Sequence, residues 1–461
     1  MPAAKSPGAA AIYDTNRDGR ADFFTFTDPA GRIDRIAYDR NRDEKPDLLI
    51  DLDDIPFDRC RHLVVILDGF GYDAVKRYYA AGGLRMFHPP SRVVAPYPAM
   101  TNVCVADALG YVASRGFRTR YYDHRRNLLR GGFWDYLQSD NDPYVRILGY
   151  RQNKLWDGVA YLWSRPVFEM EIDDLKSEFD RRARRETIAY LASSAAVSTQ
   201  LGEAGQRECL RRIEQLVNQI IWETRGLAKI TLLSDHGHAY KPPKFTDLAA
   251  QLQQQGWRLT DRLRGPTDFC PIHLGVATVA SFATRDPAQL ASDLITCEGV
   301  ELASYADLDR VVVLSKDAGK AIVRKKNGRY RYERISGDPL ELTAILDRLK
   351  SDPDGYFGAD PLLRATANHK YPAPLQRLWR THFGLAENPG DVVVSLGDGF
   401  CCGSRTFARL LTINSTHGSL NYRNSVTFVM STVGPLPPLM RSRDIPRHLG
   451  KLIHAPWPLG K

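Results

Sequence analysis

The chain lacks several features that would assign it to a special class. No apolar run approaches the roughly 20 residues needed to cross a bilayer, so no transmembrane segment is expected. The N-terminus lacks the charged-then-apolar arrangement of a secretory signal, which leaves either a cytosolic protein or a chain that begins after processing. Cysteine is scarce, with seven in 461 residues, an odd number without dense spacing. Cys60, Cys104, Cys209, Cys270 and Cys297 lie mostly in or beside apolar segments, which predicts buried thiols and not a disulfide framework. The vicinal pair Cys401-Cys402 reads most simply as part of a strand edge. Basic runs (Arg181-Arg-Ala-Arg-Arg185 and Arg324-Lys-Lys326) are short and no aromatic-rich module accompanies them, so they read as solvated faces and no nucleic-acid-binding module is expected. Oligomeric state has no signature in the sequence.

What is present is an ordinary globular composition, 43% hydrophobic and 25% charged, in a chain long enough for one large α/β unit with appendages. Lys and Arg outnumber Asp and Glu by 63 to 54; the net charge of +9 suits anionic ligands such as phosphate esters and is equally compatible with solubility alone.

Residues 1–54 read differently from the rest. Asp14, Asn16, Asp18 and Asp22 place oxygen ligands along a short loop with Gly19 at its sixth position, the opening of an EF-hand-type calcium loop. A second copy follows at Asp39, Asn41, Asp43 and Asp47, with Glu44 in place of the turn glycine. Each leads into a strand-like run, Phe23–Phe26 and Leu48–Ile50. The bidentate Glu expected at the twelfth position is replaced by Thr25 and Ile50, so these resemble the short Asp-rich calcium loops of exported bacterial proteins more than a helix-loop-helix sensor. Calcium is the ion expected there, against the plainer reading of an Asp/Asn turn. Loops of low charge and rigidity bind calcium weakly, which points to a periplasmic or extracellular setting.

Residues 58–461 form the expected main unit, with 266–336 as an insertion or embellishment containing a hairpin turn at Lys325-Lys-Asn327-Gly328. Residues 173–225 read as charged and helix-rich. Two runs stand out. His62–Leu67 ends in Asp68-Gly69, and Lys229–Ser234 ends in Asp235-His236-Gly237-His238. Both are aliphatic, too short for a helix, and finish in an acid, which is how a buried strand delivers a carboxylate to the carboxyl edge of an α/β sheet. Thr101 sits where a loop meets a helix N-terminus, a place that favours oxyanions. Asp68, Asp235 and His236 suit zinc, with the Thr101 hydroxyl as a fourth ligand and a nucleophile once a metal lowers its pKa. Taken singly, Thr101 would be a helix cap and the Asp-Gly turns loop punctuation.

The ordered set Leu67-Asp68-Gly69, Pro98-Ala-Met-Thr101-Asn102, Ser234-Asp235-His236-Gly237-His238 and Thr416-His417-Gly418 resembles the alkaline phosphatase superfamily, and within it the type I phosphodiesterase/nucleotide pyrophosphatase branch. The resemblance covers most of residues 60–435 and none of the N-terminal repeat. It implies an α/β fold, a three-layer sandwich around a central, mostly parallel sheet, and two zinc ions bridged by the phosphoryl group. One ion would be held by Asp68, Thr101, Asp235 and His236. The other would need an Asp-x-x-x-His pair and a distal histidine; His417 matches the latter. At the place where the pair falls by local pattern stand Ala195 and Thr199. Alanine cannot ligate and a threonine hydroxyl is a poor zinc ligand, so the second site is degenerate. Lys241, Lys244 or an arginine could neutralise a phosphoryl oxygen in its stead, and His238 and His273 are further candidates for ligands. Two functions follow from this reading: a metal-dependent hydrolase of small-molecule phosphate esters acting through Thr101, or a catalytically degenerate relative that binds anions or partners. A sulfatase is disfavoured, because Thr101-Asn-Val-Cys-Val lacks the Cys/Ser-x-Pro-x-Arg context.

Overall fold

The computed structural model describes residues 11–15, 18–111, 113–132, 135, 143–273 and 275–459. Its centre is a seven-stranded mixed sheet with the strand order Leu439–Arg441, Ser91–Val94, Val426–Ser431, Ala228–Ser234, Arg61–Leu67, Glu186–Leu191 and Tyr150–Arg151. The strand Arg61–Leu67 runs parallel to both neighbours, and its side chains alternate between two apolar layers. Leu63, Val65 and Leu67 join a cluster with helices Ser164–Arg181 and Ser193–Glu223. Val64 and Ile66 face a second cluster containing Val105 and Ala106 of helix Thr101–Ala108 and Leu449 of helix Ile445–Leu452. Helices therefore cover both faces, and burial on both sides explains the continuous aliphatic character of the run.

The sequence reading takes residues 173–225 as charged and helix-rich, and two long helices fill most of the stretch. In the structure a strand, Glu186–Leu191, separates two helices and pairs directly with Arg61–Leu67. The second of these helices, Ser193–Glu223, is kinked at Gly202, whose φ of 59° only glycine adopts readily.

A second sheet of nine strands spans Arg258–Gly358 and takes in Val392–Leu396 from far along the chain. It is thus larger than the stretch 266–336. The hairpin at Asn327-Gly328 is present, with φ of 50° and 75°, the positive pair that a tight two-residue hairpin turn needs. Near the N-terminus, Ala11–Tyr13, Phe23–Thr27, Ile33–Tyr38 and Leu48–Asp51 make a four-stranded antiparallel sheet. Its Phe23, Ile33 and Ile36 belong to the same apolar cluster as Leu63 and Val65. The Tyr38 hydroxyl donates to the Trp222 carbonyl at 2.6 Å, and Lys229 Nζ donates to the Leu52 carbonyl.

All seven cysteines are buried and free, and no described helix is long and apolar enough to cross a membrane. At the amino end of the central sheet, buried His62 bridges Glu186 (Nδ1 to Oε2, 2.7 Å) and Thr231 (Nε2 to Oγ1, 2.9 Å). The same Glu186 carboxylate accepts the Trp457 indole N–H at 2.9 Å and the Leu459 backbone N–H at 2.8 Å.

Glu171, fully buried, caps the start of helix Ser193–Glu223: its carboxyl accepts from the Ala192 and Ser193 backbone N–H groups, both at 3.1 Å, and from the Ser193 hydroxyl. Burial outweighs these bonds and pushes its pKa from 4.5 up to about 8. An acid whose pKa is raised by folding binds more protons folded than unfolded, so stability falls as pH rises across that interval. Denaturant unfolding at several pH values between 5 and 8.5 should show the wild type losing stability relative to Glu171→Gln as pH rises. Parallel curves would mean that the carboxyl is ionised throughout.

Candidate metal centre

Strand register brings the site together. Leu67 pairs with Ser234 on one side and Leu191 on the other, so the next residue of each strand, Asp68, Asp235 and Ala192, falls at one carboxyl edge. The strand Val426–Ser431 runs antiparallel to Ala228–Ser234 and begins at that edge, which brings up the preceding Thr416-His417-Gly418 loop. Ser91–Val94, antiparallel in turn to Val426–Ser431, ends there and leads into the helix opened by Thr101.

Among the described residues, Asp68, Asp235 and His236 gather as three ligand atoms within 4.8 Å of one another. His236 Nε2 lies 3.3 Å from Asp235 Oδ2 and 3.6 Å from Asp68 Oδ1. The Thr101 hydroxyl is 3.4 Å from Asp68 Oδ2 and 3.5 Å from His236 Nε2. Each acid has one oxygen committed to the protein. Asp235 Oδ1 accepts from the Gly69 and His236 backbone N–H groups at 3.0 and 2.8 Å, and Asp68 Oδ2 accepts from the Tyr190 hydroxyl. The other oxygens, Asp68 Oδ1 and Asp235 Oδ2, are buried without a hydrogen-bond partner. Burial, reinforced at Asp68 by the charge of Asp235, raises both carboxyl pKa values, that of Asp235 to about 7. Burial depresses His236 to about 3, so its imidazole is neutral. Its Nδ1–H donates to the Gly237 carbonyl at 3.0 Å, leaving the Nε2 lone pair aimed at two carboxylate oxygens. Three such donors facing one another in a dry site must share either protons, as the raised carboxyl pKa values reflect, or a cation, and this donor set fits a divalent metal.

His417 stands beside this group. Its ring stacks on His236 with centroids 3.9 Å apart, and its Nδ1 donates to the Ala99 carbonyl at 2.9 Å. It lines a cavity of about 220 Å³ together with Thr101, Asp68 and Ala195. Thr199 is buried one turn further along the same helix. His238 is held by Ser415 Oγ at 2.5 Å, with its Nε2 buried and unpartnered. The remaining candidates lie elsewhere. His273 lines a separate small cavity with Arg118 and Arg120, Lys244 pairs with Glu298, and Lys241 lies against Gly399. In the N-terminal loops, Asp14 accepts from the Asp18 and Gly19 backbone N–H groups and Asp39 from those of Asn41, Arg42 and Glu44, while Asp22 and Asp47 accept from Thr15 and Arg40. Asn16 lies outside the described residues.

Two site residues escape the sequence reading. Tyr190 lies on the strand inside the helix-rich stretch, where the run Thr187-Ile-Ala-Tyr-Leu191 is the available signal. Arg118 reaches the cavity wall from an irregular segment with no motif around it.

In overall shape the chain is similar to the human and murine ectonucleotide pyrophosphatase/phosphodiesterase 5 structures. Each is 10% identical in sequence, with 86% of this chain and 95% of the other covered, at TM-scores of 0.47 and 0.45. No protein-family model matches the chain and no curated protein matches it in sequence. The roles assigned below rest on the side chains themselves.

Gly237, beside His236, sits where two chain segments pass closely. A Cβ there would come within 2.0 Å of the Arg423 carbonyl oxygen and 2.9 Å of that of Val426. Gly237→Ala should therefore cost at least about 1–3 kcal/mol, read as a lowered denaturant midpoint. An unchanged midpoint would show that the loop before Val426 is free to move aside.

Proposed function

We propose that the chain is a metal-dependent hydrolase of phosphate esters of the alkaline phosphatase superfamily type, with Thr101 as its nucleophile. The observation that carries this is the neutral His236 directing its Nε2 lone pair toward the unpartnered oxygens Asp68 Oδ1 and Asp235 Oδ2, with the Thr101 hydroxyl beside them. Asp68, Asp235, His236 and Thr101 would hold one ion, for which the mixed oxygen and nitrogen donors favour zinc. Such an ion lowers the pKa of the threonine hydroxyl and offsets charge on the ester.

The residues then divide the work. Asp235 Oδ1, held by two backbone N–H groups, and His236, held by the Gly237 carbonyl, fix the donor geometry. Tyr190 orients Asp68. The Thr101 hydroxyl gives its proton to solvent as Oγ forms a bond to phosphorus and the ester P–O bond breaks; the departing alkoxide takes a proton from water, and a second water then attacks phosphorus, breaking the Oγ–P bond, with a proton returned to Oγ and phosphate released. Ala195 stands where the superfamily pattern places a second metal ligand, so charge stabilisation on the leaving-group side is weaker by several kcal/mol and the rate by orders of magnitude.

That same alanine favours a second reading, a degenerate member that retains the pocket for anion binding. Metal analysis and an ester panel separate the two. The hydrolase reading expects about one equivalent of zinc per chain and turnover of an aryl phosphodiester, lost in Thr101→Ala while metal is retained. Metal-loaded protein inert toward diesters, monoesters and sulfate esters would leave only anion binding. Ala195→Asp with Thr199→His should raise metal uptake toward a second equivalent and increase turnover; an unaltered protein would show that the second site lies elsewhere.

A further inference from the structure

Around Ala195, Thr199 and His417, where the superfamily pattern calls for a second ion, the side chains do not fit one. Ala195 ends in a methyl group, and the Thr199 hydroxyl faces that of Tyr161. The Thr199 carbonyl accepts the Asn414 and Ser415 N–H groups at 2.9 and 3.1 Å, which fixes this helix against the loop that bears His417. His417 commits its Nδ1 to the Ala99 carbonyl, so its Nε2 is the one ring nitrogen left to ligate. A single imidazole falls well short of the roughly four donors that hold zinc.

A guanidinium is placed beside these groups. Arg118 Nη2 lies 3.7 Å from the sulfur of Met100, the residue before Thr101, and a Cβ on Gly275 would lie 3.5 Å from Arg118 Nη1. Met100 and Gly275 line the same cavity as Thr101 and His417, so the guanidinium is held at its wall. Burial comes first in holding His236 and His417 below the usual imidazole range, and the charge of Arg118 adds to it at both. The other guanidinium of that lining, Arg151, is matched by Asp157 at 3.2 Å, and Lys154 is likewise engaged. Arg118 has no ion-pair partner among the described residues. Burial lowers its pKa to about 10, which leaves it a cation at neutral pH. A guanidinium without a carboxylate in a partly buried wall is stabilised by an anion brought to it, and its planar fork matches phosphoryl oxygens.

We propose that the guanidinium of Arg118 takes the place of a second metal ion, donating N–H groups to an oxygen of the phosphoryl group that Thr101 attacks. This rests on the reading of Thr101 as the reacting hydroxyl. Arg118 makes and breaks no covalent bond and keeps its proton throughout. It offsets negative charge gathering on the phosphoryl oxygens, and so recovers part of the stabilisation that Ala195 forfeits.

The test titrates the zinc-loaded full chain calorimetrically with inorganic phosphate and scores turnover of an aryl phosphodiester separately. Arg118→Ala should weaken phosphate binding at least about tenfold and lower kcat on the order of a hundredfold, with zinc content unchanged. Arg118→Met, which keeps an apolar stem beside Met100, should behave alike, and Arg118→Lys should fall between. Free guanidinium ion at millimolar concentration should restore part of both losses in Arg118→Ala, which a purely structural role would not allow. A further readout needs no ester. In Ala195→Asp with Thr199→His, a second zinc should bind at least about tenfold more tightly once Arg118→Ala is added, because two cations repel in one place. Undiminished phosphate affinity, or second-zinc binding indifferent to Arg118, would overturn the assignment. Phosphate binding that depends on Arg118 in protein without turnover would sustain the cation and remove the hydrolase reading, whereas turnover indifferent to Arg118 would do the reverse.

Discussion

Two carboxylates that end adjacent parallel strands in the same register have no means of separating. Leu67 and Ser234 are hydrogen-bonded neighbours, so Asp68 and Asp235 are set side by side by the ladder itself, at 6% and 1% exposure. Isolated charges in such a place are costly. The surrounding structure is arranged around that cost: one oxygen of each acid is tied to protein donors and the imidazole of His236 is turned by the Gly237 carbonyl. The hydroxyl of Ser194 takes the Asp68 backbone N–H, and that of Ser234 takes the N–H of Phe70. What remains is a fixed set of donors that either protons or a metal ion can complete.

The features legible in the sequence were those with local causes. Runs such as His62–Leu67 and Lys229–Ser234 announce buried strands because sheet burial on both faces demands uninterrupted aliphatic residues, and the acids that end them mark the edge. The tight hairpin at Asn327-Gly328 was legible for a similar reason, since few residues tolerate positive φ. What escaped depends on pairing at a distance. Glu186–Leu191 lies between two long helices, and only its partner Arg61–Leu67 makes it a strand. The nine-stranded sheet was underestimated because Val392–Leu396, which joins Val279–Thr284 to Val300–Asp307, is remote from both in sequence. Tyr190 and Arg118 carry no motif; their proximity to the acids is a property of the packed chain.

The pocket is chemically lopsided. One wall is acid and imidazole, suited to a metal ion. The same lining carries the Ala195 methyl and Arg118. A methyl group offers a cation neither charge nor lone pair, and a guanidinium supplies positive charge without having to be acquired from solution. Such a wall is always charged, whereas the acid wall depends on the supply of metal.

The clasp formed by His62, Glu186, Thr231 and Trp457 joins the amino ends of three central strands to a segment more than two hundred residues downstream. During synthesis these strands emerge long before Trp457 does. Until then the buried Glu186 carboxylate is short of two of its donors, so the strand bearing Tyr190 lacks its final anchor. Completion of the sheet edge that carries Asp68 and Asp235 is therefore coupled to a stretch of chain made much later.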